Sequence, residues 1–186
     1  MIEIKYFKLS MMEIIDHLNK VKESIRENDL NRLIGLIDNS RRIFLYGAGR
    51  SGFMARAFAQ RLMHIGYESY FLGETVTPSC DKRDLIIIVS GSGKTTSSLC
   101  LAEAAKEMGL KVVAITSHGE SRLAEISDLT IIVPGKTKLV ERESYAPFTS
   151  LFDISVLSFF DSVSSEIMRR KGINESKILE RHATLE

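Results

Sequence analysis

Ile43-Phe44-Leu45-Tyr46-Gly47-Ala48-Gly49-Arg50-Ser51-Gly52 is a short apolar run that ends in glycines and passes directly into the helical spacing of Met54 to Ile65. An apolar strand without polar alternation, a tight turn and then a helix make one β-α unit of a sheet buried on both faces. Similar runs recur as SYFLG (69–73), DLIIIVSG (84–91), KVVAITS (111–117) and DLTIIVPG (128–135). Helical content lies between them at Thr95–Met108 and Ser121–Ile126. The order β-α-β-loop-β-α-β-α-β predicts an α/β fold with five parallel strands, and right-handed crossovers restrict it to a doubly wound sheet. A flavodoxin-like strand order, 2-1-3-4-5, makes the first and third strands neighbours and puts the ligand site beyond their carboxyl ends.

Outside this core, residues 11–25 and 30–37 each carry apolar side chains at helical spacing, and 1–40 reads as a pair of amphipathic helices. Residues 41–134 form the sheet region. PGKTKLVERES (134–144) is polar and charged and reads as an exposed, moving loop. From Pro147 to Lys171 the chain is apolar nearly all round, which calls for burial on more than one side and points to a second subunit. Glu175–Arg181 adds a short helix within the closing segment 147–186.

The 186 residues are 44% hydrophobic and 26% charged, with a formal charge of +1, the profile of one folded domain rather than a disordered or fibrous chain. With so little net charge there is no global basic field to attract nucleic acid. The longest strongly apolar run, Leu85–Val89, is far too short to span a membrane. Cys80 and Cys100 match no disulfide, zinc or redox pattern, which fits a reducing compartment, the cytoplasm.

Two glycine-rich turns carry the chemistry. Gly47-x-Gly49-x-x-Gly52 opens a helix, so its amides and the positive end of the macrodipole converge where an anion fits. The spacing also matches a dinucleotide fingerprint with Glu74 as the ribose acid. Arg50 and Ser51, however, suit a monophosphate directly, and little chain follows the fifth strand to build a substrate domain. The second turn, Ser90-Gly91-Ser92-Gly93-Lys94-Thr95, ends like a P-loop, but the first glycine of that motif falls at Ile88 inside a strand. What remains is a cluster of hydroxyls and exposed amides of the kind a phosphate monoester needs. The strand order sets the two turns side by side, one for phosphate and one for sugar.

Gly-Ala-Gly-Arg-Ser-Gly and Ser-Gly-Ser-Gly with Thr95 resemble the sugar isomerase (SIS) phosphosugar-binding family. RLMHIGY (61–67), GETVTP (73–78), the PGK loop and the ending RHATLE (181–186) narrow the resemblance to its branch acting on 3-hexulose 6-phosphate and fructose 6-phosphate. It implies one SIS domain over 1–186, a three-layer αβα sandwich, a homotetramer, and no metal or nucleotide. It also implies a place in the ribulose monophosphate pathway beside hexulose-6-phosphate synthase. Moving a carbonyl from C3 to C2 needs one base and one acid, and no cofactor.

The family carries a glutamate as candidate base in a pattern like Gly-[Ser/Thr]-x-Phe-Glu. This chain reads Thr149-Ser150-Leu151-Phe152-Asp153, with threonine for the glycine and a shorter acid. Asp153 is the expected base, although Ser150-x-x-Asp153 also has the spacing of a capping box. His182 and His64 are the other acid-base candidates, and the RHATLE context suggests that His182 enters a neighbouring subunit's site. The expected substrate-binding residues are Gly49, Arg50, Ser51, Glu74, Thr75, Ser90, Gly91, Ser92, Gly93 and Thr95. Another phosphosugar isomerase, or a sensor without catalysis, would use the same turns.

Overall fold

The computed structural model of the chain describes residues 4–136 and 143–184. Helices α1 (Lys5–Ser24) and α2 (Glu27–Asn39) precede β1 (Ile43–Gly47), α3 (Arg50–His64), β2 (Ser69–Phe71) and β3 (Leu85–Val89). Then come α4 (Thr96–Glu107), β4 (Lys111–Thr116), α5 (Arg122–Ile126), β5 (Leu129–Ile132), α6 (Ser150–Lys171) and α7 (Glu175–Leu179). The strands form one parallel sheet, as the apolar runs predict, in the expected flavodoxin-like order β2-β1-β3-β4-β5. Most of the charged loop expected at 134–144, residues 137–142, lies outside the described residues, as do Leu185 and Glu186 of the closing motif.

Strand side chains alternate between two buried faces, which is why the runs look uniformly apolar. Ile43, Leu45, Ile87, Val113 and Ile131 face one core beneath α2, α3 and α6. Phe44, Ile86, Ile88, Val112 and Ala114 face a second core beneath α4 and α5. Register pairs Ile43 with Leu85 and Gly47 with Val89, so β1 and β3 end level and release their glycine turns together.

Three boundaries differ from the pattern reading. α1 begins at Lys5, ahead of the apolar spacing that starts at Met11, because its first turns remain largely exposed and leave no core-facing stripe. α3 begins within the glycine turn at Arg50. β2 stops at Phe71, where the chain bends into a turn with Gly73 at φ 105°.

α6 is buried on several sides, but its own chain supplies that cover: α3, α1 and α2 all pack on it. Phe160 stacks on Phe58 of α3 with ring centroids 4.1 Å apart, and the buried hydroxyls of Ser155 and Ser164 donate back to carbonyls one turn earlier. The expectation that α6 needs a second subunit for burial is therefore corrected. The exposed apolar row is on α1 and the residue before it, at Ile4, Phe7, Met11 and Ile15.

At the opposite edge from the glycine turns, buried Asp84 binds β1 to β3. It accepts from Arg41 Nε at 3.0 Å and Nη2 at 2.9 Å, from Arg42 Nη2 at 3.3 Å, and from the Asp81 amide at 2.8 Å. Burial alone would push this carboxyl up, but the Arg41 guanidinium, the Asp81 amide and Arg42 together hold it below the ordinary aspartate value.

Candidate active site

The two glycine turns flank a pocket of about 300 Å³, lined by Ala48, Gly49, Arg50, Ser51, Val89, Ser90, Gly91, Ser92, Thr95, Phe148, Thr149 and Phe152. Both turns are built by close approach. A Cβ on Gly52 would lie 2.5 Å from the Gly47 carbonyl oxygen, so the first turn of α3 can pack on the end of β1 only without side chains there. Gly93 has φ 62°, and a Cβ there would collide with Ser121.

Three helices begin at this pocket: α3 at Arg50, α4 at Thr96 and α6 at Ser150. None of the three has a side-chain hydrogen bond capping its start, whereas α5 and α7 do. Side chains therefore leave these helix starts uncapped, although the Ser150 amide donates to the Pro147 carbonyl at 2.9 Å and the Gly52 amide to that of Gly49 at 3.0 Å, and three positive helix ends meet over one small volume. The hydroxyls of Ser90 and Thr95 lie 3.1 Å apart, and Ser92 Oγ accepts from the Lys94 amide at 3.3 Å. The chemistry of this set, hydroxyls and positive helix ends around a small volume, suits a phosphate monoester.

Asp153 sits directly behind the wall and is 1% exposed. Arg50 Nε donates to its Oδ2 at 2.9 Å, Thr149 Oγ1 to the same oxygen at 2.9 Å, and Ser51 Oγ to Oδ1 at 3.3 Å. The Arg50 side chain is 57% exposed, with its other donors toward solvent. The capping box at Ser150-x-x-Asp153 does not form. The cap position is Thr149, one residue earlier, which turns the Asp153 carboxylate toward α3 instead of the helix amides. Gly135 of the PGK loop packs on the Phe152 backbone beside it, too closely for any side chain.

Of the expected binding residues, Gly49, Arg50, Ser51, Ser90, Gly91, Ser92 and Thr95 line the pocket, and Gly93 shapes it. Glu74 and Thr75 do not reach it in this chain. Glu74 lies outside the edge strand, 3.4 Å from Arg56 Nε, and Arg56 in turn covers the Phe71 ring at 3.6 Å. His64 and His182 come together but elsewhere, with rings stacked 5.3 Å apart at the far end of α3. The rise of α3 puts His64 about 21 Å from Arg50. Burial, then the neighbouring His182 and Arg61, push the His64 imidazole below its ordinary value, and its Nδ1 has no hydrogen-bond partner among the described residues.

Pattern reading missed Phe148 and Phe152 as pocket walls and Ser117 and His118 as supports of the second turn. Ser117 Oγ donates to the Gly91 carbonyl at 2.8 Å, and His118 Nδ1 lies 3.1 Å from the same oxygen. The available signal was position: Thr116-Ser117-His118 closes a strand at its carboxyl end. A larger cleft of about 820 Å³ lies between α1 and Tyr145, with Glu13, Asp16, His17 and Lys20 on its wall. It lacks the helix starts that select an anion.

The SIS domain family matches residues 36–157 of the chain. A Methanocaldococcus jannaschii protein named 3-hexulose-6-phosphate isomerase is 40% identical over 183 residues, covering 96% of this chain and 98% of that one. A Bacillus subtilis protein of the same name is 39% identical over 177 residues, covering 94% and 96%. Among solved structures, a Methanococcus jannaschii protein for which that isomerase function was inferred superposes with a TM-score of 0.83 at 39% identity, covering 98% of this chain and all of that one.

Proposed function

Because the chain belongs to the SIS domain family, we propose that it is a sugar-phosphate isomerase interconverting 3-hexulose 6-phosphate and fructose 6-phosphate. The observation that carries this reading is the near full-length likeness to isomerases of that name. The pocket supports it with two glycine turns suited to a phosphate and, behind its wall, a buried carboxylate held by Arg50 and Ser51.

The phosphate takes the amides and hydroxyls of the Ser90–Thr95 turn together with Gly49 and the Ser51 amide, while the Ser51 hydroxyl stays on Asp153 Oδ1. That remote contact orients the reacting carbons toward α6. Arg50, the exposed partner of Asp153, turns to the dianion and uncovers Oδ2. Asp153 then takes the proton from C2 of the 3-hexulose 6-phosphate while an acid protonates the C3 oxygen. The resulting enediol loses its O2 proton and gains one at C3, leaving the carbonyl at C2. The hydrogen moves as a proton, so one base and one acid complete the balance.

His182 and His64 supply the acid from a neighbouring subunit of a homotetramer, since within one chain they lie about one helix length from Asp153. Glu74 and Thr75 meet sugar hydroxyls in the same assembly. The whole chain, 1–186, works as one SIS unit in the cytoplasm, in the ribulose monophosphate pathway, after hexulose-6-phosphate synthase. Among the described residues no helix is long and apolar enough to cross a membrane.

The test is NMR of the protein with fructose 6-phosphate in D₂O. We expect a 3-hexulose product and deuterium at C3 of the recovered substrate, both abolished by Asp153→Asn. Binding without product or exchange would overturn the isomerase reading in favour of a phosphosugar sensor.

A further inference from the structure

Thr149 is the one residue other than glycine with a positive φ among the described residues, at φ 60° and ψ −6°. A β-branched side chain in the left-handed region is strained, and such strain persists only where surrounding contacts impose it. The residue also forgoes the usual return for a threonine at a helix start, because its hydroxyl caps no amide. The hydroxyl donates instead to Asp153 Oδ2 at 2.9 Å.

From this pairing we infer that Thr149 is a positioning residue for the Asp153 carboxylate, resting on the reading of Asp153 as the base. Oδ2 is shared between Thr149 and Arg50, while Oδ1 is held by Ser51. Arg50 is the cation within ion-pairing distance of this carboxylate among the described residues, and it is the exposed member of the set. When substrate phosphate draws Arg50 away, Thr149 and Ser51 remain, one on each oxygen. The carboxylate keeps its direction through the proton transfer. Glycine at 149 would remove the strain and the hold together.

Thr149→Ala and Thr149→Ser differ by the hydroxyl on a similarly strained backbone. In the interconversion assay Thr149→Ser is expected within about threefold of the parent kcat, and Thr149→Ala about 10- to 100-fold below it, with KM for fructose 6-phosphate moving less than about threefold in both. Equal kcat in the two variants, or a change confined to KM, would overturn the inference. A second readout does not need turnover: a urea-unfolding cycle of Thr149→Ala, Asp153→Ala and the double variant. We expect the two changes to couple by about fivefold or more in the unfolding constant. Additivity would overturn the Thr149–Asp153 link. If the parent protein fails to interconvert the sugar phosphates, the isomerase reading falls and the unfolding cycle alone decides this one.

Discussion

Arg50 and Asp153 are 103 positions apart in the chain, yet the Nε of one donates to the Oδ2 of the other at 2.9 Å. One residue opens α3 inside the first glycine turn, and the other lies in the first turn of α6. Their contact joins the phosphate receptor to the candidate base, so charge arriving on one side is felt on the other.

Replacing Asp153 by Asn should lower kcat by about 10² to 10⁴ while fructose 6-phosphate still binds. Arg50→Ala should instead weaken phosphate binding by about 10- to 100-fold, the worth of a charge-assisted hydrogen bond. Isothermal titration with fructose 6-phosphate and steady-state kinetics separate the two. Weakened binding in Asp153→Asn with kcat intact would remove Asp153 from the proton transfer.

If His182 completes a neighbour's site, Asp153→Asn and His182→Ala proteins, each inactive alone, should recover activity when unfolded together and reassembled. Random mixing restores both groups to roughly a quarter of the sites. No recovery, with assembly confirmed by light scattering, would leave His182 serving its own chain or none.

Gly93→Ala places a Cβ against Ser121 on a backbone held at φ 62°. It should destabilise the protein by about 2 kcal/mol or more in urea unfolding and abolish binding of inorganic phosphate. Gly172, also at positive φ but with open space around it, is the control: Gly172→Ala carries the backbone strain without the clash and should leave phosphate binding unchanged.

Asp84 sets an acid limb of stability. Its carboxyl is held below its unfolded value, near 3.9. Its contribution is therefore complete above that pH and is lost as the pH falls through the folded value. Asp84→Ala removes the acceptor that Arg41 and Arg42 share, leaving Arg41 on Asp81 and Arg42 on the Ser79 carbonyl, and should cost about 1–3 kcal/mol at pH 7. Stability of the parent and of this variant should converge below about pH 4. Parallel curves down to pH 2 would separate Asp84 from acid unfolding.

The strands were legible because each is a local fact. Leu85–Val89 is apolar at every position since both faces of a parallel strand are covered, and the glycines of both turns are demanded by backbone sterics within a few residues. α6 shows where locality stops. Its all-round apolar surface announced burial but not by what, and the answer, α1 to α3 of the same chain, depends on how helices distant in sequence pack.

The same division runs through the site. Ser90, Ser92, Thr95, Gly49 and Arg50 could be assigned to one pocket from sequence because a five-strand parallel order makes β1 and β3 neighbours and their turns follow directly. Periodicity cannot report that Thr149 would bend into the left-handed region and give its hydroxyl to Asp153. Nor can it report that His64 and His182 would stack a helix length away. Sequence alone determined the α/β class, the five parallel strands and the two glycine-rich turns, since burial pattern and glycine sterics act over neighbouring residues. Tertiary structure alone decided the partners of Asp153 and the separation of the histidines, because those follow from the docking of α6 on α3, which only the packed core sets.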